Sequence, residues 1–119
     1  VILGNEIYLC RNGLSAETFQ SGEDKYYHFI LLAKDARGHE QIRELSTRAW
    51  LRAYYARNMW RVPTYYSDLE DIIKSDPGHV VASTACLGGY VGTQLLNFQK
   101  TQDPNLLINF RQNVRRWLL

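Results

Sequence analysis

The run Tyr26-Tyr27-His28-Phe29-Ile30-Leu31-Leu32-Ala33 constrains the fold more than any other segment of this chain. It is aromatic or aliphatic throughout except for one histidine, and it lacks the alternation of a half-buried strand. Such a run predicts a strand covered on both faces, as in a parallel sheet. Asp35-Ala36-Arg37-Gly38 then reads as a turn, after which Ile42, Leu45, Ala49, Ala53 and Tyr54 recur at spacings of three and four. That spacing predicts an amphipathic helix of roughly four to five turns ending near Asn58, with Trp50 and Leu51 widening its apolar stripe.

On the amino-terminal side, residues 1–10 read as a strand with one acidic residue, Glu6, set inside an apolar segment, and residues 11–25 as a polar surface excursion. Past the long helix, Met59 to Tyr66 is aromatic and carries Pro63, which predicts a packed loop. Ser67-Asp68-Leu69-Glu70 has capping-box spacing and opens a short helix through Lys74, closed by the turn Asp76-Pro77-Gly78. His79 to Ser83 is a third strand, and Gly88-Gly89 precedes a helix-like stretch with Val91, Leu95, Leu96 and Phe98. Asp103-Pro104 then suits an N-cap followed by proline at the first helical position, with Leu107, Phe110, Val114 and Trp117 as the apolar stripe. Alternation of this kind predicts α/β layering with largely parallel strands in one domain.

Composition bounds the function classes. With 119 residues and 45% apolar content the chain can bury one core, and its formal charge of +2 is too small to argue nucleic-acid or membrane binding by itself. Cys10 and Cys86 lie far apart without CxxC spacing, so neither a disulfide framework nor a zinc knuckle is indicated, and a reducing cytoplasm fits. No apolar run approaches a membrane span. The chain opens on Val1-Ile2-Leu3 and closes on Trp117-Leu118-Leu119, apolar ends that suggest a piece cut from a longer protein. A piece cut from a longer fold would expose sheet edges and apolar surface, so self-association is expected.

Three side chains of metal-competent type stand at comparable places: Glu6 in the first strand, His28 in the second, and Cys86 just after the third, where Val81 to Gly89 delivers a lone thiol into a glycine-rich turn. Side chains at the carboxyl ends of parallel strands converge on one face, and a carboxylate, an imidazole and a thiolate are all ligand types that zinc accepts. The bland readings stand beside this one: Glu6 facing solvent or pairing with an arginine, His28 as a hydrogen-bonded core histidine, Cys86 as a small core hydrophobe. A Cys86–His28 nucleophile pair is a further reading. His39 and His79 read as surface residues. Arg48, Arg52, Arg57 and Arg61 interleave with Trp50, Tyr54, Tyr55 and Trp60, as single-stranded nucleic-acid binding uses, against the alternative of a solvated helix face.

Several phrases, in order, resemble the alpha subunit of bacterial replicative DNA polymerase III. Tyr27 to Asp35, with Gly38 and Ile42-Arg43-Glu44-Leu45-Ser46, is similar to its "HL-x-LLAKN-x-x-GY-x-NL-x-KL-S". Ala49 to Tyr55 is similar to "AYLEGFYY", Gly4 to Tyr8 to "G-x-E-x-Y", and Val81 to Gly89 to "ALSGCLGG". The resemblance runs over about residues 2–98 and points to the PHP (polymerase and histidinol phosphatase) domain. It implies that residues 1–119 are part of a distorted, TIM-like barrel of seven β/α units, with Glu6, His28 and Cys86 on three ligand positions of a divalent metal site (Zn, Mn or Mg). The family's other ligands, in His-x-His and Asp-x-His motifs, are absent from the sequence, so no catalytic residue is expected in this segment. The family's "KPRID" is replaced by Asn58 to Thr64, a departure that suits a divergent, phage-type source. The resemblance further implies a parent chain that performs DNA-templated nucleotidyl transfer, with DNA and a proofreading exonuclease as partners and a metal-dependent 3'-5' exonuclease contribution from the PHP site. A non-catalytic PHP scaffold and a stand-alone PHP phosphoesterase are the alternatives.

Overall fold

The computed structural model describes residues 1–118, with side chains through residue 115. Its elements are β1 (Gly4–Cys10), β2 (Tyr27–Ala33), α1 (Ala36–Leu51), β3 (Tyr54–Ala56), β4 (Met59–Arg61), β5 (Pro63–Tyr65), α2 (Tyr66–Leu69), a π-helical turn (Glu70–Lys74), β6 (Val80–Ser83), α3 (Tyr90–Thr101) and α4 (Pro104–Leu118). Four strands form one sheet in the order β5-β1-β2-β6, and β3 and β4 form a separate hairpin. β1 runs antiparallel to β2, with Tyr8 opposite His28, and β2 runs antiparallel to β6, with Leu31 opposite Ala82. Only β1 and β5 are parallel in this sheet. The expectation of largely parallel strands is corrected accordingly. Parallel neighbours need a crossover, usually a helix, whereas residues 11–26 between β1 and β2 hold only turns, so the chain comes back antiparallel.

Asp35 caps α1 by accepting a hydrogen bond from the Gly38 N–H at 2.9 Å. Gly38 has no room for a side chain, because a Cβ there would overlap the His79 carbonyl. The helix buries Gln41, Ile42, Leu45 and Ala49 but stops at Leu51, short of Asn58, and Trp50 and Leu51 are exposed. Tyr54 and Tyr55 suit a strand better than a helix, and Arg57 and Asn58, at φ 52° and 63°, form the two-residue left-handed turn that joins β3 to β4. The expected packed loop from Met59 to Tyr66 is therefore β4, β5 and the start of α2, with Pro63 opening a sheet-edge strand where a missing donor is tolerated. The N-cap of α2 is Tyr65, not Ser67, and the Asp68 carboxylate accepts from the Tyr65 N–H at 2.8 Å.

Ile7, Leu31, Ile42, Leu45 and Ile72 form the core, flanked by Phe29, Ala33, Leu69, Ile73 and Val80. One face of the sheet thus packs against α1 and the π-helical turn. The alternation of strand residues sends Glu6, Tyr8, His28, Ile30 and Leu32 to the other face. β2 is therefore covered on one side, not two, and Leu32 and Val81 are exposed. At the far end of the sheet, the Tyr90 ring stacks on Phe110 at 6.2 Å and meets Tyr27 edge-on at 5.3 Å, which docks α3 and α4. Asn113 donates to the Tyr90 hydroxyl at 2.6 Å. Leu95 and Leu96 of the expected α3 stripe are exposed, while Leu107, Phe110 and Val114 are half-buried. The Trp117 side chain lies outside the described residues.

Candidate functional site

The β1–β2 register places Glu6 diagonally across from His28 on the uncovered face, and Glu6 Oε1 lies 2.9 Å from His28 Nδ1. Cys86 is delivered by the turn after β6. Ala85 takes a left-handed φ of 59°, with its N–H donating to Ser83 Oγ at 3.2 Å, and the Gly89 N–H closes the turn on the Cys86 carbonyl at 2.9 Å. Gly89 is required here, since a Cβ would overlap the Thr84 carbonyl oxygen. The His28 N–H donates to the Gly88 carbonyl at 3.0 Å and ties the turn to the start of β2. Cys86 Sγ consequently lies 3.8 Å from His28 Nδ1 and accepts from the Gly88 N–H at 3.4 Å. Gly88 lies so close to the imidazole that a Cβ there would sit 3.3 Å from the ring, and Tyr8 meets the ring edge-on at 5.2 Å.

Three residues that the sequence singled out, separated by 22 and 58 positions, thus meet on the open face. Their geometry limits their chemistry. Glu6 and Cys86 both approach Nδ1, whereas a nucleophile–base–orienter arrangement needs the thiol on one imidazole nitrogen and the acid on the other. Cys86 and His28 are in contact as a pair, but Glu6 does not complete them into a triad. For a metal ion the donor types are suitable, but their placement is not. An ion at Nδ1 would have to displace the Glu6 carboxylate from it, and among the described residues no group of three His, Cys, Asp or Glu side chains is arranged to hold one. The three residues do not make a metal site by themselves, and no reaction step follows from them alone.

The second thiol is of another kind. Cys10 is fully buried, lies 3.7 Å from the Thr64 carbonyl, and burial pushes its pKa up to about 12.

Of the candidate nucleic-acid residues, Arg52 is committed internally. It pairs with both oxygens of buried Asp68, with Nη2–Oδ1 at 3.1 Å, and lies 4.0 Å over the Tyr65 ring. Burial opposes the charge on Asp68, but the hydrogen bonds from Arg52 and the Tyr65 N–H outweigh it and hold its carboxyl below the usual range. Arg57 and Arg61 lie over aromatic rings instead, Arg57 over Phe19 at 5.6 Å and Arg61 over Tyr26 at 5.3 Å.

Sequence reasoning passed over one cluster. His79, read as a surface residue, is half-buried, with Nδ1 2.7 Å from the N-cap carboxylate of Asp35 and Nε2 3.4 Å from Asp76. Arg37 reaches Asp76 at 2.7 Å. The hydrogen bond to Asp35 raises the His79 pKa, and the same contact lowers that of Asp35. The capping position of Asp35 was the one signal available.

Among the described residues no helix is long and apolar enough to cross a membrane. No family model matches the chain, and no solved structure matches it. Curated proteins do. The chain is 39% identical over 122 aligned residues, 99% of its length, to the probable DNA polymerase YorL of Bacillus subtilis strain 168 and equally to the DNA-directed DNA polymerase of Bacillus phage SPbeta. It is 25% identical over 111 residues, 93% of its length, to DNA polymerase III subunit alpha of Borreliella burgdorferi. Nearly the whole chain is therefore similar to one segment of proteins named as DNA polymerases, a segment that spans about 9% of each.

Proposed function

We propose that this chain is part of the PHP domain of a replicative DNA polymerase III alpha-type subunit, built into a distorted (β/α) barrel whose other strands lie outside the segment. The parent chain performs DNA-templated nucleotidyl transfer in the cytoplasm, on DNA and beside replisome partners such as a proofreading exonuclease. The observation that supports this reading is the meeting of Glu6 and Cys86 at His28 Nδ1, from three places distant in sequence. On this reading Glu6, His28 and Cys86 would be three of the donors to a divalent ion (Zn, Mn or Mg) in the whole domain, which requires Glu6 to move off His28 Nδ1, with the remaining donors coming from elsewhere. When bound, such ions activate water and clamp a phosphate. What this chain contributes is position: β1, β2 and the Thr84–Gly89 turn bring a carboxylate, an imidazole and a thiol to one place on an open face.

A second reading, a PHP scaffold without metal chemistry, is favoured by the direct approach of Glu6 Oε1 to His28 Nδ1 at 2.9 Å, where the carboxylate occupies the side of the nitrogen an ion would need. Cobalt titration separates the two, because cobalt substitutes for zinc and a cobalt–thiolate bond gives a charge-transfer band. The expected result is a weak band that does not saturate at micromolar cobalt and disappears in His28→Ala and Cys86→Ser, with no hydrolysis of DNA by the chain alone. Absence of the band at any cobalt concentration overturns the ligand assignment and leaves the scaffold. Tight binding with nuclease activity abolished by His28→Ala overturns the claim that the segment is incomplete.

A further inference from the structure

We propose that Gly88 is the positioning residue of the His28–Cys86 pair, the one residue that sets how closely the imidazole and the thiol approach each other. What the pair is for rests on the metal reading above; how it is held does not. Every group of Gly88 is engaged. Its N–H donates to Cys86 Sγ at 3.4 Å, its carbonyl accepts from the His28 N–H at 3.0 Å, and its Cα faces the imidazole. The turn after β6 and the start of β2 are thus joined through a single residue, with the thiol hung from one side of it and the ring laid against the other. The 3.8 Å between Cys86 Sγ and His28 Nδ1 is the outcome of those anchors.

The missing side chain is what permits this arrangement. Gly88 is not among the glycines at positive φ, so its backbone is open to other residues and the obstacle is the ring. A Cβ would stand 3.3, 3.4 and 3.4 Å from Cδ2, Cγ and Nε2 of His28. Near-equal distances to three consecutive ring atoms put it over the flat of the imidazole, not at its rim. Carbon contacts are best at about 3.5–4.0 Å, so a methyl group would drive the ring away along its normal by a few tenths of an ångström. The neighbouring glycines are limited by backbone instead: a Cβ at Gly89 would overlap the Thr84 carbonyl oxygen, and one at Gly92 would stand 2.8 Å from Leu87 Cα. Those two shape the turn and the start of α3, whereas Gly88 is limited by the side chain it positions. An imidazole that holds an ion depends on the groups that fix its orientation as well as on the ion.

The test is Gly88→Ala in the whole chain, read by NMR of the His28 ring at fixed pH and by the cobalt titration. In the wild type the Gly88 Hα protons are expected to carry a ring-current shift that His28→Ala removes; its absence overturns the proposal without any variant at residue 88. In Gly88→Ala the Cδ2–H and Cε1–H resonances of His28 are expected to move, while the amide spectrum away from the turn and the thermal midpoint stay close to wild type. The cobalt–thiolate band at a given cobalt concentration is expected to fall about tenfold, the low end of what the loss of an orienting group costs a metal site. Ser83→Ala supplies the contrast, because it removes the 3.2 Å bond from the Ala85 N–H without touching the ring. It is expected to lower the thermal midpoint and leave the ring resonances in place. Unmoved ring resonances in folded Gly88→Ala overturn the proposal, as does an equal displacement in Ser83→Ala, which would make Gly88 one more contact of the turn. If the wild type gives no cobalt band but the resonances move as expected, the metal reading falls and the positioning role stands. A full band with unmoved resonances in Gly88→Ala removes the positioning role and leaves the metal reading.

Discussion

The two faces of the four-stranded sheet are built from alternate residues of the same strands, yet they are different materials. Ile7, Phe29, Leu31 and Val80 meet α1 and the π-helical turn, and polar atoms there are fasteners: Gln41 Nε2 bonds the carbonyls of Ile72 and Asp76 at 3.0 and 2.7 Å. On the other face no layer of the described residues covers Glu6, Tyr8, His28 and Leu32, and Glu6 and Cys86 gather at one imidazole. A one-residue step along a strand separates packing from chemistry. The covered face determines whether the chain folds, and the open face determines what it can bind.

The sharpest measure of that contrast is the two thiols. Cys10 is interior and its raised pKa leaves almost no thiolate at neutral pH, whereas Cys86 is exposed beside His28. Iodoacetamide at pH 8 is expected to modify Cys86 at least about 100-fold faster than Cys10, read by mass spectrometry of digested protein. Comparable rates would mean that the Cys10 side of the sheet opens as readily as the turn after β6.

Next in size is a pair of neighbouring leucines. Leu31→Ala removes a side chain 1% exposed in the core and is expected to cost about 2–5 kcal/mol of unfolding free energy. Leu32→Ala, one residue on, removes a side chain on the open face and should cost about 1 kcal/mol or less. Denaturant titration of both variants checks the difference. Equal losses would show that the second face is covered in solution, which is also what self-association through it would produce.

What could be read in the sequence follows the same division. β1, β2, β6, α3 and α4 were legible because apolar runs, glycine pairs and the Asp103-Pro104 start act locally. Strand direction was not, because it is set by the connections: nothing in Tyr26 to Ala33 tells an antiparallel return from a crossover. The β3–β4 hairpin was hidden by accident of spacing, Ala53 and Tyr54 falling in phase with the α1 stripe, while its turn, Arg57-Asn58, lacks the glycine that usually announces it. The meeting of Glu6, His28 and Cys86 was suggested by residue type and by family resemblance. Their separations carried no such information, since a tight turn at Ala85 to Gly89, stabilised by backbone contacts, completes the approach. The same blindness to backbone contacts explains why His79 passed as a surface residue: its carbonyl accepts from Lys34 N–H at 2.8 Å, and this pairing brings its ring to Asp35.

That histidine gives the finest form of the comparison, because the molecule contains two His–carboxylate pairs in different settings. His28–Glu6 lies on the open face; His79–Asp35 joins the cap of α1 to the segment entering β6, at the margin of the covered layer. The His79 pKa is raised, chiefly by its hydrogen bond to Asp35, so the folded state holds the proton more tightly than the unfolded chain. Its contribution is complete below the ordinary histidine value of 6.5 and is lost as pH rises through the raised folded value. The Asp35 pKa is lowered, chiefly by the same bond, so its contribution is complete above 3.8 and is lost as pH falls through the depressed folded value. The pair therefore stabilises the fold most between about pH 4 and 6.5. His79→Asn is expected to lower the thermal midpoint measurably at pH 5.5 and less at pH 8.5, because the contribution declines as pH rises through the raised folded value. An equal deficit at both pH values would assign the loss to packing and neutral hydrogen bonding.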